Sequence, residues 1–204
     1  MDEVGFLHHW AGPSAADEAN LLLPLAARLG AHRLVTGLFE TYPPDEVRAG
    51  LLHLCRLAAG LRLEAALEFF SFGGIPTLGD ACRLITELGE PNLGLLVDTW
   101  QVHRGEGTLD GLARFPKISV VCVQLADAAP VSWTDVGEES RRARLMPGAG
   151  VIDLPRMLGA VCDGRDKPPV VVEVISDAIA GRDPFEVART AAAATRAVLH
   201  AAGW

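Results

Sequence analysis

Four residues of this chain could together make an oxygen-lined cation site: Glu68, Asp98, Gln124 and Glu173. Each stands at or near the C-terminal end of a short apolar run, respectively Leu63–Phe70, Leu93–Asp98, Ile118–Leu125 and Val170–Ile175. A carboxylate in such a place is costly unless it is paired or bound to a metal. Three carboxylates and an amide, each one strand further along, are hard oxygen donors that suit Mg²⁺ or Mn²⁺, or Co²⁺. Without a histidine among them, Zn²⁺ is less favoured. A cation held there would polarise a carbonyl and hold adjacent oxygens. That suits proton abstraction next to a carbonyl through an enediolate, the step with which isomerisation, epimerisation and dehydration all begin. A base is also required, and Glu68, Glu173 and His103 are the candidates. Arg144 could grip a substrate carboxylate or phosphate in a bidentate pair.

Plainer roles stand beside these. Glu68 alone could cap a helix, and Gln124 alone could be a satisfied buried amide. Glu173 follows three valines, so burial is expected, and Arg144 could be its charge partner instead of a metal. Asp127 serves equally as a loop cap or a substrate contact, and His103 as an exposed loop residue. His8, His9 and Trp10 have the look of a ligand cluster but are read as without function. His32, His53 and His200 are read as structural.

The elements that must position these groups alternate. Ala15–Leu29 reads as an amphipathic helix with Ser14 as N-cap and Gly30 as its stop, and His32–Thr36 as a short strand. Pro43–Gly60 is a second helix, opened by prolines and closed by glycine. After the Glu68 strand come a helix over Thr77–Leu88, the Asp98 strand and a short helix near Thr108–Phe115. The Gln124 strand then leads into a long loop from Ala126 to Gly150 and a helix over Asp153–Cys162 capped by Asp153. The Glu173 strand and a helix over Pro184–Ala201 complete the chain. Strand–helix alternation with strands apolar on both faces predicts an α/β fold with a parallel sheet. An open doubly wound sheet would place a glycine-rich turn after its first strand, and none is present. Polar residues at four successive strand ends favour a (β/α)₈ barrel. Five strands are recognisable where a barrel has eight and about 250 residues. The expectation is therefore a TIM-barrel-type domain over residues 1–204 lacking about the first three βα units, with Val4–Trp10 the remnant of one.

Composition narrows the partners. The formal charge is −8 and only Lys117 and Lys167 are lysines, which argues against a nucleic-acid backbone as partner. No apolar run is long enough to span a bilayer. Cys55, Cys82, Cys122 and Cys162 form no C-x-x-C pair and read as reduced structural thiols of a cytoplasmic protein, with Cys122 a minor catalytic alternative.

Five segments occur in order: Leu67-Glu68-Phe69-Phe70-Ser71, Pro91–Trp100, Val123-Gln124-Leu125-Ala126-Asp127-Ala128, Arg144-Leu145-Met146-Pro147-Gly148-Ala149-Gly150, and Val172–Asp177. Together they resemble the xylose-isomerase-like TIM-barrel superfamily, in particular its sugar phosphate isomerase/epimerase branch, over about residues 14 to 200. The resemblance implies one divalent metal held by Glu68, Asp98, Gln124 and Glu173. It implies a small sugar, cyclitol or hydroxy-acid substrate, with Trp100, Gln101 and Arg144 near it. Many relatives have histidine where this chain has Gln124, and a glutamine there is familiar from the 3-dehydroshikimate dehydratase-like members. Two positions depart from the pattern: Gln101 replaces a histidine that helps at the active site, and Ala149 replaces the glutamate of Pro-Gly-Glu-Gly. Isomerase or epimerase chemistry is the first expectation, an inosose or dehydroshikimate dehydratase the second, and a non-catalytic barrel fragment the third. The apurinic endonuclease branch is disfavoured by the charge and the histidine-poor site. An exposed strand edge at His32–Thr36 would favour homo-oligomers.

Overall fold

The structure, a computed structural model, describes residues 1–12, 15–105, 109–163 and 165–204, with the side chains of residues 15–17 outside the description. The expected N-cap Ser14 and the start of the expected helix at Thr108 lie outside the described residues. The chain divides into two compact units. The first comprises Met1–Leu96 with Lys117–Val121, the second Val97–Pro116 with Cys122–Trp204.

In the first unit, β1 (Glu3–Leu7), β2 (Arg33–Thr36), β3 (Glu64–Leu67) and β4 (Leu93–Asp98) are parallel neighbours in chain order. The helices α1 (Ala15–Arg28), α2 (Pro44–Gly60) and α3 (Leu78–Leu88) connect them. Leu67 pairs with Leu95, so Glu68 follows β3 directly at its C-terminal end. Gly94 permits a close approach: a Cβ there would lie 2.2 Å from Val121 Cγ1. Local signals place the helix ends. Thr77 accepts a hydrogen bond from Asp80 N at 3.0 Å to start α3, and Gly89, at φ 60°, ends it in the left-handed region. Buried Leu51, Leu54, Cys55 and Ala58 form the inner stripe of α2. Burial pushes the Cys55 thiol up to about 12, with Glu90 adding to the effect, as suits an inert structural thiol.

The second unit contains α4 (Thr99–Arg104), a 3₁₀ turn over Asp110–Arg114, α5 (Val136–Arg142), α6 (Leu154–Cys162), β6 (Val170–Val172) and α7 (Pro184–Ala201). Strand β5 (Val120–Leu125) passes from the first unit into the second and there pairs in parallel with β6, Gln124 opposite Val171. Asp135, Asp153 and Asp183 cap α5, α6 and α7 with their side chains.

Strand order is chain order from β1 to β6. A doubly wound sheet would reverse its order at a switch point. Consecutive parallel βα units are the (β/α)₈ pattern, so the predicted fold class holds. Several boundaries differ from expectation. Val4–Trp10 contributes a true strand, so six strands are present among the described residues. That places β2 between β1 and β3 with all four of its residues buried, so the expected exposed edge at His32–Thr36 does not exist there. The expected loop from Ala126 to Gly150 contains α5. The three valines of β6 are half-buried, and among the described residues β5 is its one strand neighbour in the sheet. Glu173 is accordingly 35% exposed in its side chain, where full burial was expected. No helix among the described residues is long and apolar enough to cross a membrane.

Candidate metal centre

Asp98 ends β4 and is fully buried. Its Oδ1 accepts from Trp100 N at 2.8 Å, capping α4, and its Oδ2 accepts from Arg144 Nη1 at 2.7 Å. The same Nη1 donates to Glu173 Oε2 at 2.9 Å. One guanidinium therefore holds two carboxylates whose oxygens approach within 4.8 Å of each other. Gln124, at the penultimate position of β5, donates from Nε2 to Glu173 Oε1 at 3.4 Å. Its Oε1 is buried and makes no hydrogen bond among the described residues. Strand register explains the convergence. Gln124 lies beside Val171, and Glu173 N continues the ladder to Leu125 O at 3.1 Å.

Arg144 is itself positioned by a helix absent from the sequence expectations. Its Nε donates to Ser140 O and its Nη2 to Ser140 Oγ, both at 2.9 Å. Ser140 belongs to α5, as does the fully buried Glu139. Glu139 accepts from Arg104 Nε at 3.1 Å, and from Ser132 Oγ and Trp133 N at 2.9 Å each. The Arg104 and Arg144 guanidinium carbons lie 5.7 and 5.2 Å from the Trp100 ring centre. Ser140, Glu139 and Arg104 were missed from sequence. The signal was Asp135-Val136-Gly137-Glu138, an N-cap with an acidic residue three positions on.

These contacts bear on three expectations. Arg144 is 2% exposed and its donors are engaged within the protein, so it orders the carboxylates and does not present a free fork to substrate. Trp100 and Gln101 are fully buried in the first turn of α4, which Asp98 caps. His103, one turn further along, lines a cavity of about 200 Å³ with Asp110, Asp153 and Arg156. Burial first, then the charge of Arg104, hold His103 below its ordinary value of 6.5, against the opposing pull of Asp127 and Glu139. The unfolded chain therefore takes up this proton first on acidification. Stability from a neutral His103 is present above 6.5 and is lost as pH falls through the lowered folded value. A His103→Gln variant is expected to show a shallower acid loss of stability in urea titrations across that range, and an unchanged slope would contradict this.

Asp127 resolves toward the loop-cap role. Fully buried, it accepts from the backbone N–H groups of Ala128 (2.8 Å), Gly148 (3.0 Å), Gly150 (2.9 Å) and Ile152 (2.9 Å). It thus pins the Pro147–Gly150 loop. A Cβ at Gly150 would meet Ala128 O at 2.2 Å, so this backbone approach requires glycine. Removing the acceptor leaves several amides without it, each costing about 1–3 kcal/mol when buried. Asp127→Ala is expected to destabilise the protein by at least about 2 kcal/mol in chemical denaturation; a change within experimental error would contradict the loop-anchor role.

The donor chemistry fits a hard divalent cation. Asp98, Glu173 and Arg144 carry a formal net charge of −1, and the buried Gln124 Oε1 is an additional neutral oxygen donor. Glu68, 2% exposed, has its backbone N–H bonded to Thr36 O at 2.8 Å and belongs to the first unit.

Residues 10–198 match the family described as xylose isomerase-like TIM barrel, and the chain belongs to that family. A curated 3-dehydroshikimate dehydratase of Pseudomonas aeruginosa is 33% identical over 128 residues, 62% of this chain and 20% of that protein. The chain thus spans about a fifth of that relative's length. Among solved structures, an IolI protein with a bound zinc atom superposes with a TM-score of 0.84 at 19% identity, covering 97% of this chain and 76% of that one. The 3-keto-D-glucoside 4-epimerase YcjR of Escherichia coli gives 0.70 at 18%, covering 96% and 77%. At these identities the superpositions show the fold alone.

Proposed function

We propose that this chain carries a divalent-metal site for enolising a small polyhydroxy carbonyl compound, with Asp98, Gln124, Glu173 and Glu68 as ligands. The observation that carries the proposal is the pair of carboxylates, Asp98 and Glu173, gathered on one buried guanidinium beside the orphaned Gln124 Oε1. Glu68 is included for its place at the end of β3 and for the resemblance alone. When bound, the cation, Mg²⁺ or Mn²⁺ or Co²⁺, would polarise the carbonyl and hold an adjacent oxygen.

The protein's own groups divide the remaining work. Asp98 is inaccessible and serves to hold, while Glu173 is the partly exposed carboxylate of the pair and the better placed to meet substrate. We assign the base to Glu173, with Glu68 as the other candidate. His103, which lines a cavity with Asp110, Asp153 and Arg156, stands as a further candidate. Arg144 orders both carboxylates and lowers the cost of holding them together. Removal of the proton next to the carbonyl leaves an enolate with two outcomes. Loss of a β-hydroxyl as water, with formation of the C=C bond, is dehydration; return of a proton to either carbon is isomerisation or epimerisation. The 33% identity to a 3-dehydroshikimate dehydratase favours the former. The sugar isomerase/epimerase reading stands second, supported by family membership.

The test is proton exchange. Mn²⁺-loaded protein is incubated in D₂O with 3-dehydroshikimate, an inosose or a ketose, quenched, freed of metal and read by proton NMR. Loss of the signal α to the carbonyl, with water loss from dehydroshikimate, is expected. Retention of every α-proton in a metal-loaded, folded sample would contradict the proposal.

A further inference from the structure

The first unit holds a second group of ligand atoms that the proposed chemistry does not use. His8 and His9 follow the end of β1, and Glu18 reaches them from α1. The backbone N–H groups of His8 and His9 both donate to Glu18 Oε2, at 3.0 and 2.8 Å. This pair fixes the carboxylate in orientation and directs Oε1 toward His8 Nδ1, 3.4 Å away. His9 Nδ1 lies 3.5 Å from Oε2. One ligand atom from each of the three side chains falls within 4.8 Å of the other two. His8 Nδ1 is buried and lacks a hydrogen bond among the described residues, an arrangement that leaves a strong donor atom unused at the centre of the group. The His8 ring is also restrained, its centre 5.1 Å from that of Phe39 and 3.8 Å from that of His9.

We infer that His8, His9 and Glu18 form a second metal site, of different chemistry from the oxygen-lined one. Two imidazole nitrogens and one carboxylate oxygen are the donor set of a borderline cation such as Zn²⁺, bound through three protein ligands with a fourth position for water or another oxygen donor. The two backbone N–H groups on Oε2 act as the outer contacts that orient such a carboxylate. The sites differ in hardness: the carboxylate–amide cluster suits Mg²⁺ or Mn²⁺, whereas the histidine pair selects Zn²⁺. Partial exposure of the side chains, 29% for His8, 45% for His9 and 22% for Glu18, leaves a path for the ion.

The test follows the imidazoles directly. The full chain, labelled with ¹⁵N-histidine, is titrated with Zn²⁺ in the presence of saturating Mg²⁺, and ring nitrogen shifts are recorded. Six histidines are present, and His8→Gln and His9→Gln identify two of them. Shift or broadening of those two at one equivalent, with tenfold or greater loss of Zn²⁺ affinity in Glu18→Gln, supports the site. Unmoved His8 and His9 rings, or Zn²⁺ affinity unchanged in Glu18→Gln, would overturn it. Asp98→Asn keeps all three ligands and separates the two proposals, since it should leave the His8 and His9 response intact.

Discussion

Arg144→Leu is expected to destabilise the metal-free protein by about 3–5 kcal/mol, the usual cost of stripping one partner from a buried ion pair. The guanidinium is the shared partner of Asp98 and Glu173, and Asp98 has no exposed surface to recover solvation. The leucine also leaves Ser140 O and Oγ without their Arg144 donors. Arg144→Lys is expected to lose less, because an ammonium retains the charge but not the planar fork. Urea unfolding of chelator-treated protein measures both. If the account is right, added Mn²⁺ restores part of the stability of Arg144→Leu, since a bound cation relieves the same repulsion and stabilises by linkage. A loss below about 1 kcal/mol would mean that the two carboxylates do not depend on this residue.

Asp98→Asn should have the larger effect on function. The amide is nearly isosteric and can still accept from Trp100 N, so the start of α4 is preserved. The negative charge that both Arg144 and a cation require is lost. Changes to groups that merely support a metal ligand cost 10–100-fold in affinity or activity, so loss of a charged ligand is expected to cost about 100-fold or more. Arg144 retains Glu173 and Ser140, so the fold should survive, with a smaller stability loss than in Arg144→Leu. Divalent-metal titration and α-proton exchange read the effect, and near-parental values in both would remove Asp98 from the site.

Much of this was legible in the chain. The βα alternation, the helix stops at Gly60 and Gly89 and the aspartate cap of α6 come from local chemistry, which a single sequence carries. Asp98 and Gln124 stand out in the sequence because a polar residue at the end of an apolar strand has few explanations, and the structure buries both. The pairing of Arg144 with Glu173 is among the sequence readings, but its simultaneous hold on Asp98 was not legible. Arg144 lies 46 positions from Asp98 and 29 from Glu173, and such partnerships depend on how α5 packs. The helix was hidden because Val136–Arg142 is short and largely polar, so hydrophobic periodicity gave no signal. Trp100 and Gln101 are expected near substrate by resemblance, and the structure buries both in the first turn of α4. The valines before Glu173 imply more burial than the structure shows, because β6 has one strand neighbour among the described residues. His8 and His9 were set aside for their place near the start of the chain. Their partner Glu18 lies ten residues from His8, a separation that composition alone does not bridge.

The most direct measurement is the metal content of the purified chain beside its Glu173→Gln variant, by elemental mass spectrometry after dialysis against Mn²⁺. Mn²⁺ is chosen because it favours oxygen donors over the His8–His9 group. The account predicts about one equivalent in the parent and little in the variant. Equal retention in both, or none in a folded parent, would contradict the assignment of Asp98, Gln124 and Glu173 as a metal centre.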